Sequence, residues 1–288
     1  MLNKKIISAY IELTKPNINK LVLVTTTLGY YLGGRGFNSF STLFFLLFGS
    51  ASVCAGASTI NHFLEREYDS KMQRTKNRPI PSGIIPAGDA LTFGICLTLF
   101  GVFFLYVSTN ILTAFLSLLT AFLYIMVYTP MKRTSWLNTT VGAIPGAIPP
   151  LGGWAAATGS LEFSAGILFL ILFLWQHPHF YAIAWMFRED YKRGGFKMLP
   201  CLEEDGQRTF FQIMLFSIAL IPVSLIPTFI GMSGFVYFFG MLFTGLGLVY
   251  VSYKVTQTKS NLDARKLLKA TVIYLPILLI LIVADAKF

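Results

Sequence analysis

The run SFSTLFFLLFGSASVCAGAST, residues 39–59, carries no charged side chain. At about 1.5 Å per residue, a helix of that length spans roughly 30 Å, the thickness of a bilayer's hydrocarbon core. Lipid offers no partner to a free backbone N–H or C=O, so a segment lodged there closes its own hydrogen bonds as a helix. Comparable apolar stretches recur at 18–34, 40–63, 88–108, 110–129, 138–158, 163–187, 209–231, 233–253 and 268–285. The first is short and the fifth is interrupted by Gly and Pro. The chain is 55% hydrophobic and only 12% charged, about half the charge of a soluble domain. The expected fold is therefore an all-α polytopic membrane protein of nine transmembrane helices, forming one domain over 1–288.

Basic residues set the expected orientation, because Lys and Arg accumulate in cytoplasmic loops. The tail before the first span and the loops after the second, fourth, sixth and eighth hold 21 of the 23 Lys and Arg residues. Only Arg35 and Lys287 fall on the other side. The N-terminus is expected inside and the C-terminus outside. Residues 1–20 show neither the cleavage site of a secretory signal nor the Arg- and Ser-rich character of a transit peptide. A bacterial cell (inner) membrane, with the active face towards the cytoplasm, is the expected location. Basic loops against anionic lipid account for the +10 net charge, so no nucleic-acid partner is expected. Cys54, Cys96 and Cys201 show no metal-like spacing and no plausible pairing, and no chemistry is assigned to them.

Lipid does not explain acids set among the bases. The first polar motif loop, 61–83, opens with Asn61, Glu65 and Asp69 at steps of four. On a helix these project within about 80° of one another and cover roughly 12 Å of axis. The span is too long for one bare ion in a small cage, but suits the wall of a slot. Mg²⁺ binds in this manner, taking one or two carboxylates and completing its shell with water and phosphate oxygens. Arg74 and Arg78 follow as cationic donors to the same phosphates. The pattern suits an organic diphosphate with a greasy tail. The competing reading is a solvated loop, in which Glu65 and Asp69 would repel by a few tenths of a kcal/mol unless a cation lay between them. Arg78-Pro-Ile-Pro-Ser-Gly83 reads as a rigid turn that fixes Arg78.

A second polar motif loop, 187–200, leaves the sixth span on the same side with Glu189 and Asp190 among Arg188, Lys192, Arg193 and Lys197. Two such clusters on one face suggest two walls of one pocket. His177 and His179 lie some 12–15 Å from the expected end of the sixth span, where an imidazole is costly unless it meets a cavity or a partner. His62 stands beside Asn61, either tuning the metal slot or capping the helix end. The Gly- and Pro-rich stretch 142–159 is a poor helix by propensity; its small residues serve either tight packing or a flat ligand laid against the helix.

These motifs resemble those of the UbiA-type intramembrane prenyltransferases. The signature Asn-Asp-x-x-Asp-x-x-x-Asp survives here as Asn61-His62-x-x-Glu65-x-x-x-Asp69, with His62 in place of one acid. In the second loop only Glu189 and Asp190 are acidic, so the family's spacing there is lost. The departures are similar to the protoheme IX farnesyltransferase branch. So are Glu65 to Pro79, the Tyr128-Thr129-Pro130-Met131-Lys132-Arg133 element, Gly146 to Trp154, Trp175 to Phe180 and Tyr191 to Pro200.

The resemblance implies farnesyl transfer from farnesyl diphosphate to a vinyl group of heme b, the substrate, giving heme O. It implies Mg²⁺ at Glu65 and Asp69, with Asn61 assisting and a second site at Asp190. Arg74, Arg78, Lys132, Arg133 and Lys197 would neutralise the diphosphate, and His177 or His179 would meet the heme. A downstream heme-modifying enzyme is the expected partner. The rival readings are a family member acting on a quinone precursor or another aromatic, and a transporter of an anionic solute.

Overall fold

The computed structural model describes residues 2–288, and these are helical almost throughout. An amphipathic helix α1, Leu2–Leu13, precedes α2, Pro16–Gly33, and the long α3, Phe40–Asp69. Next come α4, Ala87–Ser108, and α5, Ile111–Phe122. The latter runs through a π-helical turn, Leu123–Tyr128, into the short α6, Thr129–Met131. The Gly- and Pro-rich stretch forms two ten-residue helices, α7 Asn138–Ala147 and α8 Pro149–Thr158. Then follow α9, Phe163–Met186, a turn and a half as α10, Arg188–Arg193, and three long helices. Those are α11 Gln207–Phe229, α12 Phe235–Thr258 and α13 Asn261–Ala284.

Among the described residues, seven segments are long and apolar enough to cross a membrane: α3, α4, the α5–α6 run, α9, α11, α12 and α13. The first and fifth expected spans are helical but are not among them: α2 has 18 residues but carries Asn17, Asn19, Lys20 and three threonines, and α7–α8 breaks at Ile148 into two ten-residue helices. The break has a local cause. Pro149 and Pro150 start α8 where a helix tolerates missing N–H donors, and Pro145 removes a further donor inside α7.

The long helices bury stripes and leave large apolar residues such as Phe44, Phe103, Phe239 and Ile280 facing outward, as lipid requires. Small residues set the closest approaches. A Cβ on Gly153 of α8 would collide with the Thr26 carbonyl of α2, and one on Gly29 with the Pro150 carbonyl. This part of the stretch packs helix on helix. The largest core joins α2, α8, α9, α11, α12 and α13, and a second joins α3, α4 and α5.

The polar ends gather. Lys15 precedes α2 and reaches Asn61 near the end of α3, Lys132 follows α6 and reaches Glu65, and Asp190 follows α9 and bonds the chain just past α3. One end of the bundle therefore collects the charge that the loops display in sequence.

Candidate active site

The first motif is not a loop at its start. α3 continues through Asp69, so Asn61, Glu65 and Asp69 occupy its last turns, and irregular structure begins only at Ser70. Their side chains are buried. Buried acids need partners, and each of these has one. Lys132 Nζ lies 2.7 Å from Glu65 Oε1, and Arg78 Nη1 lies 2.8 Å from Asp69 Oδ2. Arg78 is held as the Pro-rich turn predicts: Ser82 N and Ser82 Oγ both donate to its carbonyl, at 3.0 and 2.8 Å. Asn61 accepts from Lys15 Nζ at 2.6 Å and donates to Thr129 Oγ1 at 3.0 Å. Two side chains on this face keep unsatisfied polar atoms. Asp69 Oδ1 and both ring nitrogens of His62 are buried with no hydrogen-bond partner.

Tyrosines frame the charges. Tyr124 OH meets Lys15 Nζ at 3.1 Å, and the Lys132 ammonium sits 4.5 Å from the Tyr128 ring centre. Both tyrosines belong to the π-helical turn, whose wider ladder has the Thr129 N–H donating to the Tyr124 carbonyl. Such turns are frequent at functional sites. Burial works against the charge on Lys132, yet the Glu65 carboxylate outweighs it and holds the ammonium above its ordinary range. Lys15 has no acid this close. Burial lowers it from 10.5 to about 7, with Glu65 opposing the shift only in part.

Asp190, expected at a metal, is committed elsewhere. Its Oδ1 accepts from the Gln73 N–H at 2.8 Å and from Arg193 Nη2 at 2.6 Å, and its Oδ2 from the Arg74 N–H at 3.1 Å. Burial alone would raise this carboxyl; the Arg193 and backbone hydrogen bonds win and hold it low. Asp190 thus stitches the second loop onto the first, beside a cleft of about 280 Å³ lined by Gln73, Arg74, Phe187, Glu189 and Arg193. The 132–133 and 196–198 segments join the same assembly, with the Lys197 N–H donating to the Lys132 carbonyl at 2.7 Å. Asn138 Nδ2 donates to the Lys197 carbonyl at 3.1 Å.

The structure therefore brings together Asn61, Glu65, Asp69, Arg78 and Lys132 and sets the other expected cations farther out. Arg133 reaches the Tyr68 hydroxyl at 3.1 Å, Arg74 is exposed against the Phe187 and Tyr191 rings, and Lys197 is exposed. Sequence reasoning misses Lys15 and Tyr124. The one sequence signal for Lys15 is a lysine directly before a proline at a span's start, and its left-handed backbone, φ 48°, turns the chain there.

The two deep histidines diverge. His177 is fully buried, its Nδ1 2.8 Å from the Phe173 carbonyl, its Nε2 3.3 Å from Thr140 Oγ1 and its ring stacked on Phe216. His179 is part-exposed, stacked on Trp175, with Nδ1 2.9 Å from Thr271 Oγ1.

For a metal, the donor set has two sides. Among the described residues no three His, Cys, Asp or Glu side chains group tightly enough to cage an ion. The buried, unpartnered Asp69 Oδ1 is nevertheless the kind of oxygen an ion completes, and a hard divalent ion takes its remaining oxygens from diphosphate and water. The residues fit an ion shared with a substrate.

Comparison with known proteins bears on this geometry. The sequence profile of the UbiA prenyltransferase family matches residues 22–274. The chain belongs to the UbiA prenyltransferase family. Among curated family members, the protoheme IX farnesyltransferase of Solibacter usitatus is 45% identical over 285 residues, covering 96% of this chain and 98% of that protein. The corresponding protein of Salinibacter ruber is 41% identical over 276 residues, with coverage of 96% and 98%. The fold is likewise that of solved family structures. A digeranylgeranylglyceryl phosphate synthase superposes with TM-score 0.82 at 18% identity, covering 97% of this chain and 98% of the other. A UbiA homologue from Archaeoglobus fulgidus, bound to GPP and Mg²⁺, does so with TM-score 0.65 at 15% identity, covering 96% and 99%. Family membership removes the transporter reading.

Proposed function

We propose that this chain transfers the farnesyl group of farnesyl diphosphate to a vinyl group of heme b (protoheme IX), giving heme O. The observation that carries the reading is the end-to-end similarity to protoheme IX farnesyltransferases, 45% over 96% of the chain. The buried charge cluster at the ends of α3 and α6 supplies what the chemistry needs.

Glu65 and Asp69, with Asn61 assisting, would hold Mg²⁺. That ion, when bound, supplies positive charge to the diphosphate oxygens as the allylic C–O bond breaks. The protein's own cations do the same from fixed positions. Lys132 and Arg78 already pair with the acids and Lys15 with Asn61; all three would turn to the incoming diphosphate, with Arg74, Arg133 and Lys197 lining its approach. Preorganised charge of this kind commonly lowers the barrier more than any other effect in such a site. The tyrosines and apolar helices keep water from the allylic cation until the electron-rich vinyl attacks it. Water then adds to the cation on the porphyrin side and loses a proton, leaving a hydroxyethylfarnesyl group. Of the two deep histidines, His179 suits contact with the heme, because His177 has both ring nitrogens engaged and no exposure. Asp190 enters as the clamp that presses the second loop onto the first, and would serve as a metal ligand only by releasing Arg193 and two backbone N–H groups. We place the charged end of the bundle at the cytoplasmic face of a bacterial cell membrane, following the excess of Lys and Arg there.

The test is a heme titration followed by turnover. Purified protein should shift the Soret band of added heme b, and farnesyl diphosphate should then yield a more hydrophobic heme. Replacing His179 with Ala should weaken heme binding more than the same change at His177. Equal, undiminished affinity in both variants would remove the histidine assignment.

A further inference from the structure

His62 sits where the family signature has an acid, and its environment gives it a function of its own. On α3 it is three residues before Glu65 and seven before Asp69, so all three side chains project within about 60° of each other. It is 2% exposed, and neither ring nitrogen has a partner. Leaving such a group buried and unsatisfied is costly, and native folds keep few of them. The charges bearing on the ring are the Lys15, Arg78 and Lys132 cations, with Glu65 and Asp69 on its own helix face. Two of those cations are matched by the two acids; Lys15 is bonded to the neutral Asn61 and Tyr124. The locus therefore combines one unmatched cation with one unsatisfied N–H donor. A packing histidine would have found a carbonyl or hydroxyl, as the fully buried His177 does.

We infer that His62 is a diphosphate-contacting residue: its free ring N–H donates to an oxygen of the substrate's diphosphate, in the position where an acid would have repelled that anion. The inference rests on the proposed function for the identity of the substrate, and adds a contact that does not pass through the metal.

Binding, measured apart from turnover, decides the matter. Isothermal titration of the full-length protein in detergent with a non-reactive farnesyl thiodiphosphate gives the reference affinity, and inorganic diphosphate reports the headgroup alone. His62→Leu, which keeps bulk and loses the donor, should weaken both probes by about tenfold or more, the worth of a hydrogen bond to a charged group. His62→Gln, which restores an N–H, should stay within about threefold. His62→Asp should weaken both probes and make their binding more dependent on added Mg²⁺. Heme binding should be unchanged in all three. If His62→Leu binds both probes like the wild type, or if Gln fails as badly as Leu, the inference falls. The proposed function fails separately, if the wild type binds inorganic diphosphate no more weakly than the farnesyl analogue or leaves heme b unaltered.

Discussion

The two acid-and-base clusters look alike as strings of letters and do different physical work. The first lies on the last turns of α3, where Glu65 and Asp69 are buried and paired with cations from elsewhere in the fold. The second lies on the short α10, where Asp190 is spent on two backbone N–H groups and a neighbouring arginine, while Glu189 faces solvent. A carboxylate on a long helix can be held in reserve beside movable lysine and arginine side chains. A carboxylate that accepts backbone N–H groups is part of the framework, because its release would unmake the loops it joins. Composition locates the charged end of the bundle; partner type separates acids paired with movable side chains from acids that clamp backbone.

That contrast can be broken at graded points. The largest effect is expected at the first cluster. Lys132→Met would strand Glu65 in a buried site, and removing one partner of such a pair costs about 3–5 kcal/mol. Thermal unfolding in detergent should show a large loss, and adding Glu65→Gln should recover most of it. A small loss with no recovery would mean the pair is not buried in solution.

At the second cluster, Asp190→Asn should cost about 1.5–3 kcal/mol, the range for charge-assisted hydrogen bonds. It should open the 70–78 and 188–198 segments to hydrogen exchange while the core stays protected. Because the carboxyl is held low, its contribution is complete above the ordinary carboxylate range near pH 4 and is lost only as pH falls below it. Between pH 5 and 8 this clamp should show no pH dependence.

Lys15 gives an effect of the same sign in a higher pH window. Its folded-state value of about 7 lies below the ordinary 10.5, so between those values the unfolded chain holds the extra proton. Stability should therefore rise with pH across that window, and Lys15→Met should flatten the slope. A slope unchanged by the substitution would place Lys15 in solvent. The smallest effect belongs to Glu189, whose side chain is 69% exposed and whose nearest cation contacts are 3.5 and 3.8 Å. Glu189→Gln should change stability and turnover by less than about twofold, as exposed pairs do.

Much of this architecture is readable from residue order. Apolar runs locate seven of the nine expected spans as single long apolar helices, because a helix crossing lipid must be predominantly apolar. The two outside that set are the first stretch, which is helical but more polar, and the Gly- and Pro-rich fifth, which forms two helices. The steps of four from Asn61 to Asp69 give the shared face. The end of α3 is misplaced because the composition changes at Asn61 while the helix runs on to Asp69. In sequence Lys15 is only a basic residue of the tail, since its reach to Asn61, 46 positions on, is a tertiary fact. The commitment of Asp190 to Gln73 and Arg74, 117 and 116 positions away, is another. The π-helical turn that presents Tyr124 and Tyr128 carries no distinguishing sequence period.

If the acids at the end of α3 run a farnesyl transfer onto heme, extracted heme reports on it directly. Protein in lipid vesicles is incubated with heme b, farnesyl diphosphate and Mg²⁺, and the heme is then resolved by reverse-phase chromatography and mass. A later-eluting heme, heavier by one farnesyl group and one hydroxyl, is expected from the wild type. It should be absent from Asp69→Asn, which should still shift the Soret band of heme b. Unaltered heme b from the wild type, or an Asp69→Asn variant within about tenfold of wild-type turnover, would contradict it.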